Sequence, residues 1–536
     1  MNSMIYNPLE EYAGKFKNLH LENTNAFLDD LVKRSGVNID ENRETVRLYN
    51  EYTENFKKLK RKLNLFRFLR VIMIITLVLI PLVIWKTTPK IRALREEVEN
   101  AEKKAEELLA LAEAQMRPLN NLFSDRDALD IIEKTVPLLS FDNYFTVKQE
   151  VDMKINYDFD ESRNFEESTL DALAGHYNDN PFLFENRLVH RMGTQIYHGY
   201  KTIYWTETYR DSNGKLQRRT RSQTLHASVT KPKPFYSTQV VLNYCAQGGP
   251  DLTFTRDATS LHERSEKEIE RYVKRGEKKL KRKTDKAIKG GGDFTSMSNT
   301  DFEVLFDALD RNNEVQFRTL FTPLAQTNMV SLIRSKVGYG DDFSFFKRNR
   351  TNKIITTHSQ GRAINLLPSA YVSYSFDIIK ETFTSKNTEY FKAVYFDMAP
   401  VLAIPMYQER PVHSLKPIPD YSQLYSLKES EALANMVDKG LVVHPRTKTE
   451  AIIKSSFVTS ASGVDKTDIT AYSYDIENRI DVIPVYGGDG KFHNVPVHWE
   501  EYIPIEKTSA FSVADIEKVS GENIIAQRNG LCIFKS

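Results

Sequence analysis

The chain has 536 residues, with 74 Lys and Arg against 72 Asp and Glu, for a formal net charge of +2. A balance this even excludes a globally basic nucleic-acid binder. The two cysteines, Cys245 and Cys532, are too few for a disulfide framework or a thiolate zinc site.

In chain order, residues 8–34 carry apolar side chains at near-helical intervals, from Leu9 and Tyr12 to Leu28 and Leu31, and Gly36 is a C-cap signal. Asp40 is placed to start a second helix. Its seam of Tyr49, Tyr52, Phe56, Leu59, Leu63 and Phe66 runs at spacings of three and four. That helix leads into Val71–Trp85, fifteen residues without a charge. Fifteen residues reach only about 22 Å at a rise of ~1.5 Å each, and a bilayer core needs ~20 apolar residues. Extension back toward Leu63 closes the gap if Arg67 and Arg70 snorkel, so 65–86 is expected to be one transmembrane helix. Seven Lys or Arg in 56–70 against four in 86–100 place the N-terminus in the cytoplasm and the C-terminal bulk outside the cell membrane.

A helical stalk is expected over 87–138. Its seam is Ile91, Leu94, Val98, Ala101, Ala105, Leu108 and Ala112. Such a seam suits either a parallel homodimer or a second helix of the same chain. From 139 the period changes toward 2. Phe141–Tyr157 reads as strand, and two alternating runs flank Asp211-Ser212-Asn213-Gly214, a hairpin signature. Residues 139–260 are therefore taken as a mostly β domain, 261–292 as a basic charged helix ended by Gly290–Gly292, and 293–418 as an α+β domain. In the last, Pro323 sits in the first turn of a helix, and Phe343–His358 and Tyr371–Ile379 read as strands. Residues 419–536 form a C-terminal α+β domain with turns at Gly487–Gly490 and Arg528-Asn529-Gly530. With 1–64 as an N-terminal helical region, the fold class is α+β: helices and one span, a coiled-coil stalk, then a mixed α+β portion with antiparallel sheets.

The stretch Asp301–Lys336, with Phe302-Glu303, Phe317–Phe321 and the helix after Thr322-Pro323, resembles a domain of unknown function found in single-pass membrane proteins of mollicutes and low-GC Gram-positive bacteria. The resemblance implies a location and a class, and no catalytic residue or cofactor.

The chemistry-bearing motifs are few. There is no P-loop, dinucleotide fingerprint, GxSxG or HExxH. His358-Ser359 is read as strand, where neighbours point to opposite faces. His190 with His198, and His493 with His498, are pairs without a third ligand. Asp341-Asp342 is a turn able to hold a cation. No catalytic, cofactor or metal residue is therefore assigned. The strongest signal is electrostatic: Arg271, Lys274, Arg275, Lys278, Lys279, Lys281, Arg282, Lys283, Lys286 and Lys289 crowd one helix, opposite a thin stripe of Ile269, Val273, Leu280 and Ala287. They form a candidate polyanion contact, for anionic lipid headgroups or a wall polymer rather than nucleic acid. The resulting expectation is a membrane-anchored bacterial scaffold or binding module. The alternatives are an envelope enzyme such as a hydrolase, or a cytoplasmic-facing adaptor if the topology is reversed.

Overall fold

The computed structural model describes residues 4–75, 80–159, 164–290, 294–411 and 416–535, with side-chain surroundings outside 70–86. Helix α1 (Pro8–Glu11) passes through a π-helical turn, Tyr12–Phe16, into α2 (Lys17–Ser35), which ends on Gly36 in the left-handed region at φ +64°. Helices α3 (Ile39–Ile75) and α4 (Ile80–Asn120) follow on either side of 76–79, which lie outside the described residues.

These two helices lie antiparallel on each other. The Gln115 amide donates to Thr45 Oγ1 at 3.1 Å, and Asn42 Nδ2 donates to Gln115 Oε1 at 3.4 Å. The seam expected of a stalk is real, and Val98, Ala101, Leu108 and Ala112 are buried, but their partner is α3 of the same chain. Among the described residues no separate coiled-coil stalk is formed, so the expected homodimer through this seam is corrected. The transmembrane expectation at 65–86 is corrected as well. Among the described residues no helix is long and apolar enough to cross a membrane. In the stretch that the lengthening needs, Leu63 is buried within the helix pair and Leu65 and Phe68 are exposed. The side chains of Val71–Trp85 themselves lie outside the described residues. The single span, the membrane anchorage and the assignment of the C-terminal bulk to the outside fall together, since each rested on that helix.

Helix α5 (Asp127–Thr135) leads to strand β1 (Leu139–Phe141). The strand expected over 141–157 is instead helix α6 (Val147–Tyr157). A capping box decides the matter: Gln149 N donates to Thr146 Oγ1 at 3.2 Å, and Thr146 N donates to Gln149 Oε1 at 2.8 Å. Strands β2 (Glu167–Tyr177), β3 (Asn180–Arg210), β4 (Leu216–Cys245) and β5 (Thr253–Arg256) come next. Helices α7 (Glu266–Gly290), α8 (Thr300–Phe306), α9 (Glu314–Leu320) and α10 (Pro323–Arg334) separate them from β6 (Phe343–Arg348) and β7 (Thr351–Thr356). Together the strands make a seven-stranded antiparallel sheet ordered β1-β2-β3-β4-β7-β6-β5. Helix α11 (Phe376–Leu402) takes the C-terminal part of the segment expected as a strand at 371–379, and its end from Val394 to Leu402 is buried in the main core. The start of α11 is fixed by Asn42, whose Oδ1 accepts from Phe376 N at 3.0 Å.

Helices α12 (Leu427–Met436) and α13 (Lys439–Val442) precede β8 (Ile452–Ala461), β9 (Val464–Tyr486), β10 (Phe492–Asp515), β11 (Ala526–Arg528) and β12 (Leu531–Lys535). They form a second sheet, ordered β11-β12-β10-β9-β8. The hairpin signatures at Gly214, Gly490 and Gly530 hold, each glycine having positive φ. Strand β3, at ~3.3 Å per residue, is about 100 Å long. The outer halves of β3–β4 and β9–β10 face each other through Ile203, Leu225, Ala227, Val495 and Val497. Gly199 permits this approach, since a side chain there would strike the Pro496 carbonyl.

Nearer the core, α12 wedges between the sheets. Glu429 and Glu431 are both buried. Glu429 accepts from Phe145 N at 2.8 Å and from Arg528 Nη1 at 2.6 Å, and Arg528 also pairs with Asp171. A β-bulge at Thr169/Asp171 frees the Thr169 N–H, which donates to Glu431 Oε2 at 3.2 Å, opposite Lys454. Burial pushes the carboxyls of Glu429 and Glu431 up, against the pull of Arg528 and Lys454.

Two tests follow from this packing. Arg528→Met strands Glu429 and Asp171 and is expected to cost about 3–5 kcal/mol in urea unfolding, whereas Arg221→Gln, at an exposed pair with Glu207, is expected to cost less than about 1 kcal/mol. Equal losses would mean that the buried network carries no special weight. Separately, Thr45→Cys with Gln115→Cys, treated with a short bis-maleimide, is expected to give an internally cross-linked monomer on a denaturing gel. A dimer band without that product would contradict the α3–α4 pairing.

Candidate polyanion-binding face

Helix α7 begins at a cap in which Ser265 N and Oγ both donate to Glu268 Oε2, at 2.9 and 2.7 Å. Its buried stripe is Ile269, Val273 and Leu280, set in the main core. Gly276 belongs to that stripe, because a Cβ there would collide with Val304 of α8. A stripe at this spacing fixes the rotation of the helix, so residues a half-turn away must face outward.

Nine of the ten expected contact residues do so: Arg271, Lys274, Arg275, Lys278, Lys279, Lys281, Arg282, Lys286 and Lys289 are exposed. Among the described residues, none of the nine enters an ion pair. Glu277, one of the two acids within the row, accepts from Thr300 Oγ1 at 3.3 Å. From Arg271 to Lys289 the row covers about 27 Å at ~1.5 Å per residue.

The tenth residue, Lys283, is used internally. Its ammonium donates to the Leu309 carbonyl and lies 4.1 Å from the centre of the Phe294 ring. Burial lowers its pKa, and Arg311 adds to that shift. Residues 291 and 292 of the Gly290–Gly292 stop lie outside the described residues.

The other motifs resolve into internal structure. His358 and Ser359 sit in a turn after β7, so strand alternation does not apply, and both reach Asp397 of α11. Ser359 Oγ donates to Asp397 at 2.7 Å and is fully buried, which makes it a clamp on α11 and leaves it closed to substrate. His358 Nδ1 contacts Asp342 at 2.5 Å, and its ring stacks on Tyr339 with 3.7 Å between centres. Asp341 pairs with buried Arg256. The aspartates expected to form a cation-binding turn are thus consumed by side-chain partners.

The histidine pairs also differ. Register places His190 opposite Tyr236, while His198 Nδ1 meets His226 Nε2 at 2.9 Å, and His493 meets Asp489 at 2.9 Å. Among the described residues no group of three metal-ligating side chains occurs.

Sequence reading missed a second basic surface. Beyond the contact of Gly488 N with Gln223 Oε1 at 2.6 Å, the β3–β4 ribbon carries Arg210, Lys215, Arg218, Arg219 and Arg221. The run Arg218-Arg219-Thr220-Arg221 was its signal, diluted because the cluster is shared between two strands. Compared with known proteins, the chain matches no family model, no curated protein and no solved structure. The resemblance of Asp301–Lys336 to a single-pass membrane family is therefore corrected: no family model supports it, and the stretch forms α8 to α10, packed in the main core.

The division of roles within α7 is testable. Lys283→Ala is expected to destabilise by about 1–2 kcal/mol, through loss of the carbonyl contact and the ring contact. Lys278→Ala is expected to change stability by less than about 0.5 kcal/mol. Unfolding midpoints compare them, and equal values would place Lys283 back among the outward cations.

Proposed function

We propose that this protein is a binding module for an extended polyanion, held along the outer face of α7. The observation that carries the reading is the row of nine exposed cations, without ion-pair partners among the described residues, on a helix whose opposite face is fixed in the core. Like charges at this density repel one another, and a chain of anions relieves that repulsion while releasing counterions. The contact is electrostatic and solvent-exposed, so it weakens as salt shortens the screening length, about 8 Å at physiological strength. A linear partner fits better than a compact one, because the cations are spread along the helix axis and do not converge on a point.

The experiment uses heparin as a linear sulfated probe. The wild-type chain is expected to be retained at low salt and released as salt rises. The quadruple variant Lys278→Glu, Lys279→Glu, Lys281→Glu and Arg282→Glu is expected to pass unretained with an unchanged unfolding midpoint. A control with the same change in net charge, Lys57→Glu, Lys58→Glu, Lys60→Glu and Arg61→Glu on exposed positions of α3, is expected to remain bound. Loss in both variants, or in neither, would defeat the assignment to α7.

A further inference from the structure

The two sheets are in contact at the arm and are wedged apart by α12, and between these regions lies a cavity of about 380 Å³. That is within the range of small-molecule sites, roughly 300–1,000 Å³. Its walls are aromatic. His190 of β3 and Tyr236 of β4 stand opposite each other with ring centres 5.2 Å apart, and Tyr474 of β9 lies 5.7 Å from His190. Phe165 meets Tyr472 edge to face at 5.9 Å on another side. Ile452, Pro504 and Ile505 complete an apolar lining.

The charged groups are of one sign. Glu166 and Glu506 line the cavity, and among the described residues no Lys or Arg does. Burial lowers the pKa of His190, and the nearby Glu166 opposes that shift only in part. Burial raises the pKa of Tyr474, and Glu166 adds to it. Burial thus favours the neutral form of the His190 imidazole. Its Nε2 is buried and lacks a hydrogen-bond partner among the described residues.

Ring faces carry negative electrostatic potential, and carboxylates at the same opening reinforce it. An alkylated ammonium suits this combination: its methyl groups pack on the rings, and its charge is balanced by the carboxylates without needing donated hydrogen bonds. A hydrated metal ion does not, because the walls offer too few oxygen ligands. We propose that this cavity binds a quaternary ammonium group, carried either by a free small molecule or by a trimethylated lysine side chain.

The test uses the full chain and titration calorimetry with three probes: choline, its uncharged isostere 3,3-dimethylbutan-1-ol, and a short peptide containing trimethyllysine. Choline or the peptide is expected to bind at least about tenfold more tightly than the isostere. The tighter of the two identifies the source of the ammonium group, and either result supports the site. Glu166→Gln, at an exposed carboxylate, is expected to weaken binding about fivefold, and Tyr474→Leu at least as much. Circular dichroism checks that both variants are folded. Binding of the isostere as strong as that of the cations would overturn the proposal, as would unchanged affinity in both variants or no binding of either cation at millimolar concentration.

Discussion

The buried charge network around α12 is the constraint on which the two-sheet arrangement depends. Glu429 and Glu431 cannot remain buried unless something neutralises and hydrogen-bonds them. Arg528 comes from β11, Lys454 from β8, Phe145 N from the segment before α6, and Thr169 N from the bulge in β2. Four separated pieces of chain must therefore be in place together. An apolar wedge would tolerate sliding between the sheets, but paired ions with short hydrogen bonds do not, and this sets the relative position of the sheets.

From that fixed point the rest of the β structure follows. The two long hairpins leave the core side by side because their bases are held by the same wedge. Once outside, each has one apolar face, and Ile203, Leu225, Val495 and Val497 bury those faces against each other. The helical pair α3–α4 is anchored in a comparable way at its root, where Asn42 binds both Tyr374 O and Phe376 N. In both extensions, polar contacts at the base determine direction and apolar contacts along the length supply cohesion.

This division explains what could be read from the sequence. Local signals were legible: Asn213-Gly214 and Asp489-Gly490 mark hairpins because few residues adopt positive φ, and Gly36 ends α2 for the same reason. The basic face of α7 was legible because its cations and apolar stripe are contiguous. The errors came where a local pattern had two physical readings. A heptad seam suits a dimer, but it equally suits a helix pair within one chain, and the seam of α4 does not state whose α3 it will meet. Alternation over 141–157 lost to a capping box of two residues, Thr146 and Gln149. The contact between Arg528 and Asp171 spans most of the chain, and no spacing within the sequence announces it.

The cavity at the sheet junction was illegible for the same reason, and its origin lies in the wedge itself. Sheets that touch at one end and are propped apart at the other must diverge, and side chains of ordinary length fill that gap only near its narrow end. Helix α12 stands at the wide end. Between the two, Tyr236, His190 and Tyr474 line the space without closing it. Rigid aromatic rings, held by strands whose register is fixed on both sides, keep it open. The same charge network that positions the sheets thus also maintains a site whose walls are drawn from widely separated stretches of the chain, from Phe165 to Glu506.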